Sequence, residues 1–440
     1  MSPNYPAELP VIPSLKPVSA TVTVPGSKSI TNRALILAAM QAWTAPCELR
    51  GVLRSEDTEV MVDSLRKLGF FIETQWNAGS IVVSAPEQTG SEYPPFPADL
   101  FVANSGTSMR FLAAFVSFGK GRFRIDGVPR MRERPIQDLL DALNQVGVIA
   151  RSEAGTGCPP VVLDCNRFWR GNRLKVRGDT SSQFLTALLM VAPLAVPDTG
   201  SFQIEVDGPL VSQPYIDMTL RMMETWGLKV QRNGNVFETC HAAAHGTYRT
   251  VSHYEIESDA SAASYFWAAA AITGGRVTVT GLTRKSLQGD VRFVDVLEQI
   301  GCRVEECEEG ITVHGKPLHG IDVDMNDISD TVMTLAAVAC FAEGPTTIRN
   351  VGHIRHKETD RIAAVATELR KLGAEVEVRP DGLTITPRPL TGCAVDTYND
   401  HRMAMSLSLI GLKVPGVVIR NPGCVAKTYP GFWQDFAALR

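Results

Sequence analysis

GSKSITNRALILAAM, residues 26–40, sets a short polar signal against a helix-length run of small apolar residues. The same construction occurs five more times: NSGTSMRFLAAFVSF from Asn104, GDTSSQFLTALLMVA from Gly178, SDASAASYFWAAAAI from Ser258, NDISDTVMTLAAVAC from Asn326 and YNDHRMAMSLSLIGL from Tyr398. The copies lie about 70 to 80 residues apart, the size of one compact supersecondary unit rather than of a solenoid repeat. A second feature keeps that period. Amphipathic helices end at Gly69, Gly147, Gly227, Gly301 and Gly373, where a C-cap needs a left-handed residue, and a short strand follows each. The sixth copy is abbreviated to the terminal FWQDFAALR.

Val, Ile and Thr-rich runs such as SIVVSA, GRVTVTG and LTITPRP, bounded by Gly or Pro, read as strands. One unit is then strand, helix, strand, helix, strand, strand, and the fold class is α/β. The first helix of each unit is apolar nearly all round and belongs inside a domain, whereas the Gly-terminated helix has a polar face for the outside. Six such units exceed one core, so a chain of 440 residues divides three and three near residues 250 to 257.

Composition narrows the function. A net charge of −4, with both signs spread along the chain, provides no basic face for nucleic acid. Nine cysteines, odd in number and without a C-x-x-C pair, argue for a reducing compartment and against a cysteine zinc site. His241, His245 and His253 lack a strong ligand spacing, so no metal is expected. The apolar stretches are too short or interrupted to span a bilayer. MSPNYPAELPVIP has neither an apolar core nor arginine, so a cytoplasmic location is expected. PGSKSITNR lacks the Walker A spacing, and no G-x-G-x-x-G follows a strand, which disfavours nucleotide chemistry.

Helix starts of this kind are caps by default, but several together can converge on an anion. Cations accompany them: Lys28, Arg33, Arg110 and Arg134 in one half, Lys357, Arg361, Arg402 and Lys427 in the other. That division suits a cleft between two domains. In PRMRERP, an extended segment would turn Arg130, Arg132 and Arg134 to one side, with Pro135 opening a helix. In HKETDR, Lys357 and Arg361 would share one helical face, a repulsive spacing unless an anion lies between them.

PGSKSITNRALILAA, NSGTSMR, PRMRERP, GDTSSQF, VSQPYID, KETDR, YNDHRMAM and AKTYPGFW resemble, in order and over nearly the whole chain, the signature segments of the 5-enolpyruvylshikimate-3-phosphate synthases, members of the enolpyruvyltransferase family. The resemblance implies two similar domains, each of three βαβαββ units with buried parallel helices, an inverse α/β barrel. Domain I would be residues 1–26 with 257–440 and domain II residues 27–256, the active site lying in the interdomain cleft. It implies transfer of the enolpyruvyl group of phosphoenolpyruvate to the 5-hydroxyl of shikimate 3-phosphate, through a tetrahedral intermediate and without metal or organic cofactor. A cytoplasmic monomer acting on small molecules is the family expectation.

Carried over by resemblance, Lys28, Asp330 and Glu358 are catalytic. Shikimate 3-phosphate would meet Lys28, Ser29, Arg33, Ser181, Ser182, Gln183, Ser212, Tyr215, Asp330, His353 and Lys357. Phosphoenolpyruvate would meet Lys28, Gly106, Arg134, Gln183, Arg361, His401, Arg402 and Lys427. His353 stands where the family usually has Asn, and Phe111 where it has Pro or an aliphatic residue; the bulk of Phe111 is expected to shift the Gly106 helix and alter glyphosate sensitivity. The rivals are a UDP-N-acetylglucosamine enolpyruvyltransferase, whose reactive-cysteine loop is missing here, and a noncatalytic anion-binding protein on the same scaffold.

Overall fold

A helix with apolar side chains on every face has no stable place but an interior. The helices Lys28–Gln41, Gly106–Phe115 and Ser182–Val191 are buried along nearly their whole length, as are Ala260–Thr273, Val332–Ala339 and His401–Gly411. The computed structural model describes residues 5–85, 95–196, 200–240 and 249–440; His241 and His245 lie outside the described residues. The chain forms two compact units, Ser27–Ile256 and Met1–Gly26 with Glu257–Arg440, and each holds three of these helices.

Five of the six helices start on a side-chain cap: Ser27, Ser105, Ser181, Asp259 and Asp400 each accept a bond from a backbone N–H of the first turn. The polar signal of each repeat therefore satisfies a donor that the helix leaves unpaired. The copy from Asn326 departs from the expected pattern. It runs as a 3-10 segment, Asn326–Thr331, broken at Ile328, before the α-helix Val332–Ala339 begins. Asp330 thus sits ahead of its helix.

Five four-stranded sheets share one pairing scheme. Asp99–Phe101 lies parallel to Lys120–Asp126, which pairs antiparallel with Val161–Asn166, which in turn pairs antiparallel with Ile149–Ser152. A buried helix makes the parallel crossover and an amphipathic one, Gln137–Gln145, leads to the outer strand. Two sheets take their parallel edge strand from a distant part of the chain. Ser19–Val22 pairs with Arg276–Thr280, and His253–Glu255 with Cys47–Arg50, so the chain passes twice between the units. The shortened sixth copy has three strands. Glu8–Pro10 pairs antiparallel with Val418–Arg420, where the other sheets place their last-formed strand.

All five helix-ending glycines have positive φ, from 74° at Gly227 to 118° at Gly301. At Gly69 a Cβ would also stand 2.4 Å from the Phe96 ring, so both conformation and space select glycine there. Among the described residues, no helix is long and apolar enough to cross a membrane. The eight cysteines whose side chains are described are free thiols.

Candidate active site

Within Ser27–Ile256, the starts of the buried helices bring the first set of side chains together. Lys28 opens its helix, and its Nζ lies 3.1 Å from Oδ2 of Asp57, a buried carboxylate in the first turn of Glu56–Lys67. Arg33, further along the same helix, is also buried. Its Nε donates to Thr219 Oγ1 at 2.8 Å and its Nη1 to the Ser29 carbonyl at 2.9 Å. The guanidinium carbon stands 5.1 Å from the centre of the Phe111 ring and 5.9 Å from that of Tyr215. Burial lowers its pKa to about 10, which leaves it a cation at neutral pH.

Gly106, Arg134 and Gln183 meet because one of them has no side chain. A Cβ on Gly106 would stand 2.5 Å from Arg134 Nη2 and 3.2 Å from Gln183 Oε1. Arg134 Nη1 donates to the Asn104 carbonyl at 2.9 Å and to its side-chain oxygen at 3.2 Å. Arg110 fastens the neighbouring backbone, its Nη2 donating to the Pro135 carbonyl at 2.6 Å. Ser181 accepts from Gln183 N at 3.2 Å, while Ser212, in a left-handed conformation, precedes the helix Gln213–Thr225 that carries Tyr215. Both serine loops follow neighbouring parallel strands and are tied by Val211 N donating to the Gly178 carbonyl at 3.2 Å.

The alternating arginines do not form one cationic edge. Pro129–Glu133 is a 3-10 turn, whose period sends alternate residues to different sides. Arg130 pairs with Glu133 and Arg132 with Asp126, each at 2.8 Å, and Arg134 alone of the three is buried. Pro135 precedes the helix, which starts at Gln137.

In the other unit, Arg361 is the centre of a second set. Its Nε lies 2.8 Å from Asp400 Oδ2, its Nη2 2.8 Å from Glu358 Oε2 and its Nη1 3.0 Å from Asp330 Oδ1. Lys357 Nζ reaches the same Asp330 oxygen at 2.5 Å, and Arg402 Nη2 reaches Oδ2 at 2.8 Å. Lys357 and Arg361 do not share a helical face, because the helix begins at Arg361 behind the Asp360 cap. The anion between them is Asp330 itself. Burial alone would raise the Asp330 pKa, but Arg402, Lys357 and Arg361 hold it well below the usual carboxylate value.

His401 is buried, and neither ring nitrogen has a hydrogen-bond partner among the described residues; Asp400 Oδ1 lies 3.6 Å from its Nδ1. Burial and then Arg402 push its pKa far down, so the ring is neutral. His353 bonds Ser329 Oγ through Nε2 at 2.9 Å, and burial, reinforced by Lys357, lowers its pKa to about 3. Lys427 is buried in the 3-10 segment Pro422–Lys427. Against these four cations stand the carboxylates of Asp330, Glu358 and Asp400.

The family model for EPSP synthase (3-phosphoshikimate 1-carboxyvinyltransferase) matches residues 12–436. The chain belongs to this family. It is 49% identical over 428 residues to the 3-phosphoshikimate 1-carboxyvinyltransferase of Nostoc punctiforme, covering 97% of each chain. The chloroplastic enzyme of that name from Arabidopsis thaliana is 43% identical, with 96% of this chain and 83% of the relative covered. Among solved structures, an EPSP synthase from Acinetobacter baumannii superposes with a TM-score of 0.79 at 25% identity, covering 98% of each chain.

Three carboxylates of this family member escaped the sequence reading. Asp57 looks like a helix N-terminal acid among Glu56 and Glu59, and nothing in SEDTE singles it out. Asp400 reads as a cap, and it is one, but its second oxygen also holds Arg361. Asp290 has no local signal. It is buried, accepts a bond from Ser261 Oγ, and its pKa is raised to about 6 by burial and then by the charge of Asp330.

Proposed function

We propose that this chain transfers the enolpyruvyl group of phosphoenolpyruvate to the 5-hydroxyl of shikimate 3-phosphate, releasing phosphate, and that both sets of side chains serve this one reaction. The observation that carries the reading is Arg361, whose three guanidinium nitrogens each meet a different carboxylate: Asp330, Glu358 and Asp400. A protein that only binds anions has no need of acids there. An enzyme that takes a proton from a hydroxyl and gives one to a carbon does.

In the addition, Asp330 takes the 5-hydroxyl proton as the oxygen bonds to C2 of phosphoenolpyruvate, and Glu358, which takes up a proton once Arg361 turns from it to phosphoenolpyruvate, gives that proton to the methylene carbon. The elimination returns a proton from that methyl carbon to Glu358, re-forms the double bond and breaks the bond from C2 to the phosphate oxygen, with Lys28 assisting the departing phosphate. Held by three cations, Asp330 is a weak base. Phosphoenolpyruvate offers Arg361 and Arg402 other oxygens, and as they turn to it the proton affinity of Asp330 rises.

Shikimate 3-phosphate is read as held by Lys28, Ser29 and Arg33, its phosphate by Ser181, Ser182 and Ser212, its ring by Gln183 and Tyr215, and its hydroxyls by Asp330, Lys357 and His353. Phosphoenolpyruvate is read as held by Lys28, Arg134, Gln183, Arg361, His401, Arg402 and Lys427, with the Gly106 backbone over it. The ring nitrogens of His401, without a hydrogen-bond partner among the described residues, support its part in this. A cytoplasmic monomer completes the reading.

Phosphate release from phosphoenolpyruvate tests it, with shikimate 3-phosphate and UDP-N-acetylglucosamine compared as acceptors and Lys28→Met as control. Release that needs shikimate 3-phosphate and disappears in the variant is expected. Silence with both acceptors from folded protein sinks the reading and leaves an anion-binding protein on this scaffold.

A further inference from the structure

Tyr398 and Asn399 both have left-handed backbone, φ 53° and 54°, although neither is glycine. Side-chain-bearing residues hold that conformation in succession only where their surroundings enforce it. The pair directly precedes Asp400, His401 and Arg402. A strained turn thus delivers three residues of the site.

What enforces the turn lies on the helix Arg361–Lys371. Tyr398 Oη donates to Glu368 Oε1 at 2.7 Å, and Asp396 N donates to Glu368 Oε2 at 2.9 Å. Lys371 Nζ stands 2.7 Å from the same Oε2 and 2.8 Å from Asp396 Oδ2. Glu368 is fully buried, which a carboxylate tolerates only when its oxygens are bonded. It follows Arg361 by two helical turns on the same face. Arg361 itself grips Asp400 through Nε and Nη2. The turn 396–400 is therefore tied to one helix at two points, by a carboxylate at one end and a guanidinium at the other. From the opposite side, Asn421 Nδ2 donates to Asn399 Oδ1 at 3.1 Å and Thr397 Oγ1 to the Arg420 carbonyl at 3.0 Å.

Tyr398 is 41% exposed, so its ring does not fill a core. The hydroxyl is the part with a defined partner. We infer that Glu368 and Tyr398 are positioning residues: their hydrogen bond holds the turn that sets Asp400 and Arg402 against Arg361 for phosphoenolpyruvate. This rests on the role proposed above for Arg361 and Arg402. A tie that only stabilises the fold is the competing reading, and the two differ in which kinetic constant moves.

Tyr398→Phe in the full chain removes one oxygen and keeps the ring. It is expected to raise KM for phosphoenolpyruvate about fivefold to tenfold. KM for shikimate 3-phosphate should stay within about twofold, Tm should fall modestly because buried Glu368 Oε1 loses a donor, and amide exchange in a peptide covering residues 396–402 should become faster. Glu368→Gln, with one oxygen replaced by a donor, should act in the same direction and more strongly. If it does not fold, Tyr398→Phe decides alone. A KM for phosphoenolpyruvate unchanged in Tyr398→Phe overturns the inference, as does an equal rise for both substrates. Wild-type protein that does not turn over strikes instead at the proposed function. In that event, exchange in the 396–402 peptide unchanged by Tyr398→Phe overturns the hold on the turn as well.

Discussion

Arg361 Nη1 stands 3.0 Å from Asp330 Oδ1, and this bond joins the first residue of one helix to a 3-10 segment that ends just before another. The same oxygen serves Lys357, and the second oxygen serves Arg402. One carboxylate is thus the shared counter-ion of three buried or nearly buried cations. Such a network is secure while every member is bonded, and losing one member costs more than the pair contributed.

Asp330→Asn keeps the shape and deletes the charge. Loss of the proposed general base should lower kcat by about 10²- to 10⁴-fold. The cations lose their common counter-charge, so unfolding free energy should fall by about 3 kcal/mol. Added phosphate should recover more stability in the variant than in wild type, because it replaces the missing anion. Thermal unfolding with and without phosphate reads this directly; an equal phosphate response in both proteins would mean that the cations do not depend on Asp330.

The sixfold repeat was legible because two independent signals, a polar helix start and a helix-ending glycine, kept one period. Side chains that needed tertiary neighbours were not. Arg130, Arg132 and Arg134 look equivalent in an extended string, but a 3-10 turn sends the first two to surface partners and leaves Arg134 buried. Lys357 and Arg361 were read as sharing a helical face, repulsive unless an anion lies between them, but the helix begins only at Arg361, and the carboxylate both meet is Asp330, 27 residues before Lys357. Asp57, Asp290 and Asp400 were missed for the same reason. An acidic residue at a helix start looks like a cap until its second partner is known.

Phe111 offers a test confined to the first set of residues. Its buried ring faces the Arg33 guanidinium at 5.1 Å, with Tyr215 at 5.9 Å, so it acts on the cation directly. A desolvated cation–ring contact is worth about 0.5–2 kcal/mol. Phe111→Leu should therefore raise KM for shikimate 3-phosphate roughly 2- to 30-fold and leave KM for phosphoenolpyruvate near wild type. Steady-state kinetics with each substrate varied in turn checks it. A change confined to phosphoenolpyruvate would instead implicate the nearby Gly106 turn.

Asp290 and Asp330 bend the pH dependence of stability in opposite directions. The Asp330 pKa is depressed in the folded state, so its contribution is present above the unfolded value near 3.8 and is lost as pH falls through the folded one. Asp290 is raised from 3.8 to about 6, so its contribution is full below pH 3.8 and is lost as pH rises through about 6. Over that interval the folded chain keeps a proton that the unfolded chain has released, and stability should fall by an amount on the order of 2–3 kcal/mol. Asp290→Asn mimics the protonated form and can still accept from Ser261 Oγ. Its stability relative to wild type should therefore improve as pH rises from about 4 to about 7, other titrations cancelling between the two proteins. Denaturant unfolding of both proteins across that range measures the difference. A flat difference would mean that Asp290 is ionised throughout, with Arg402 outweighing its burial.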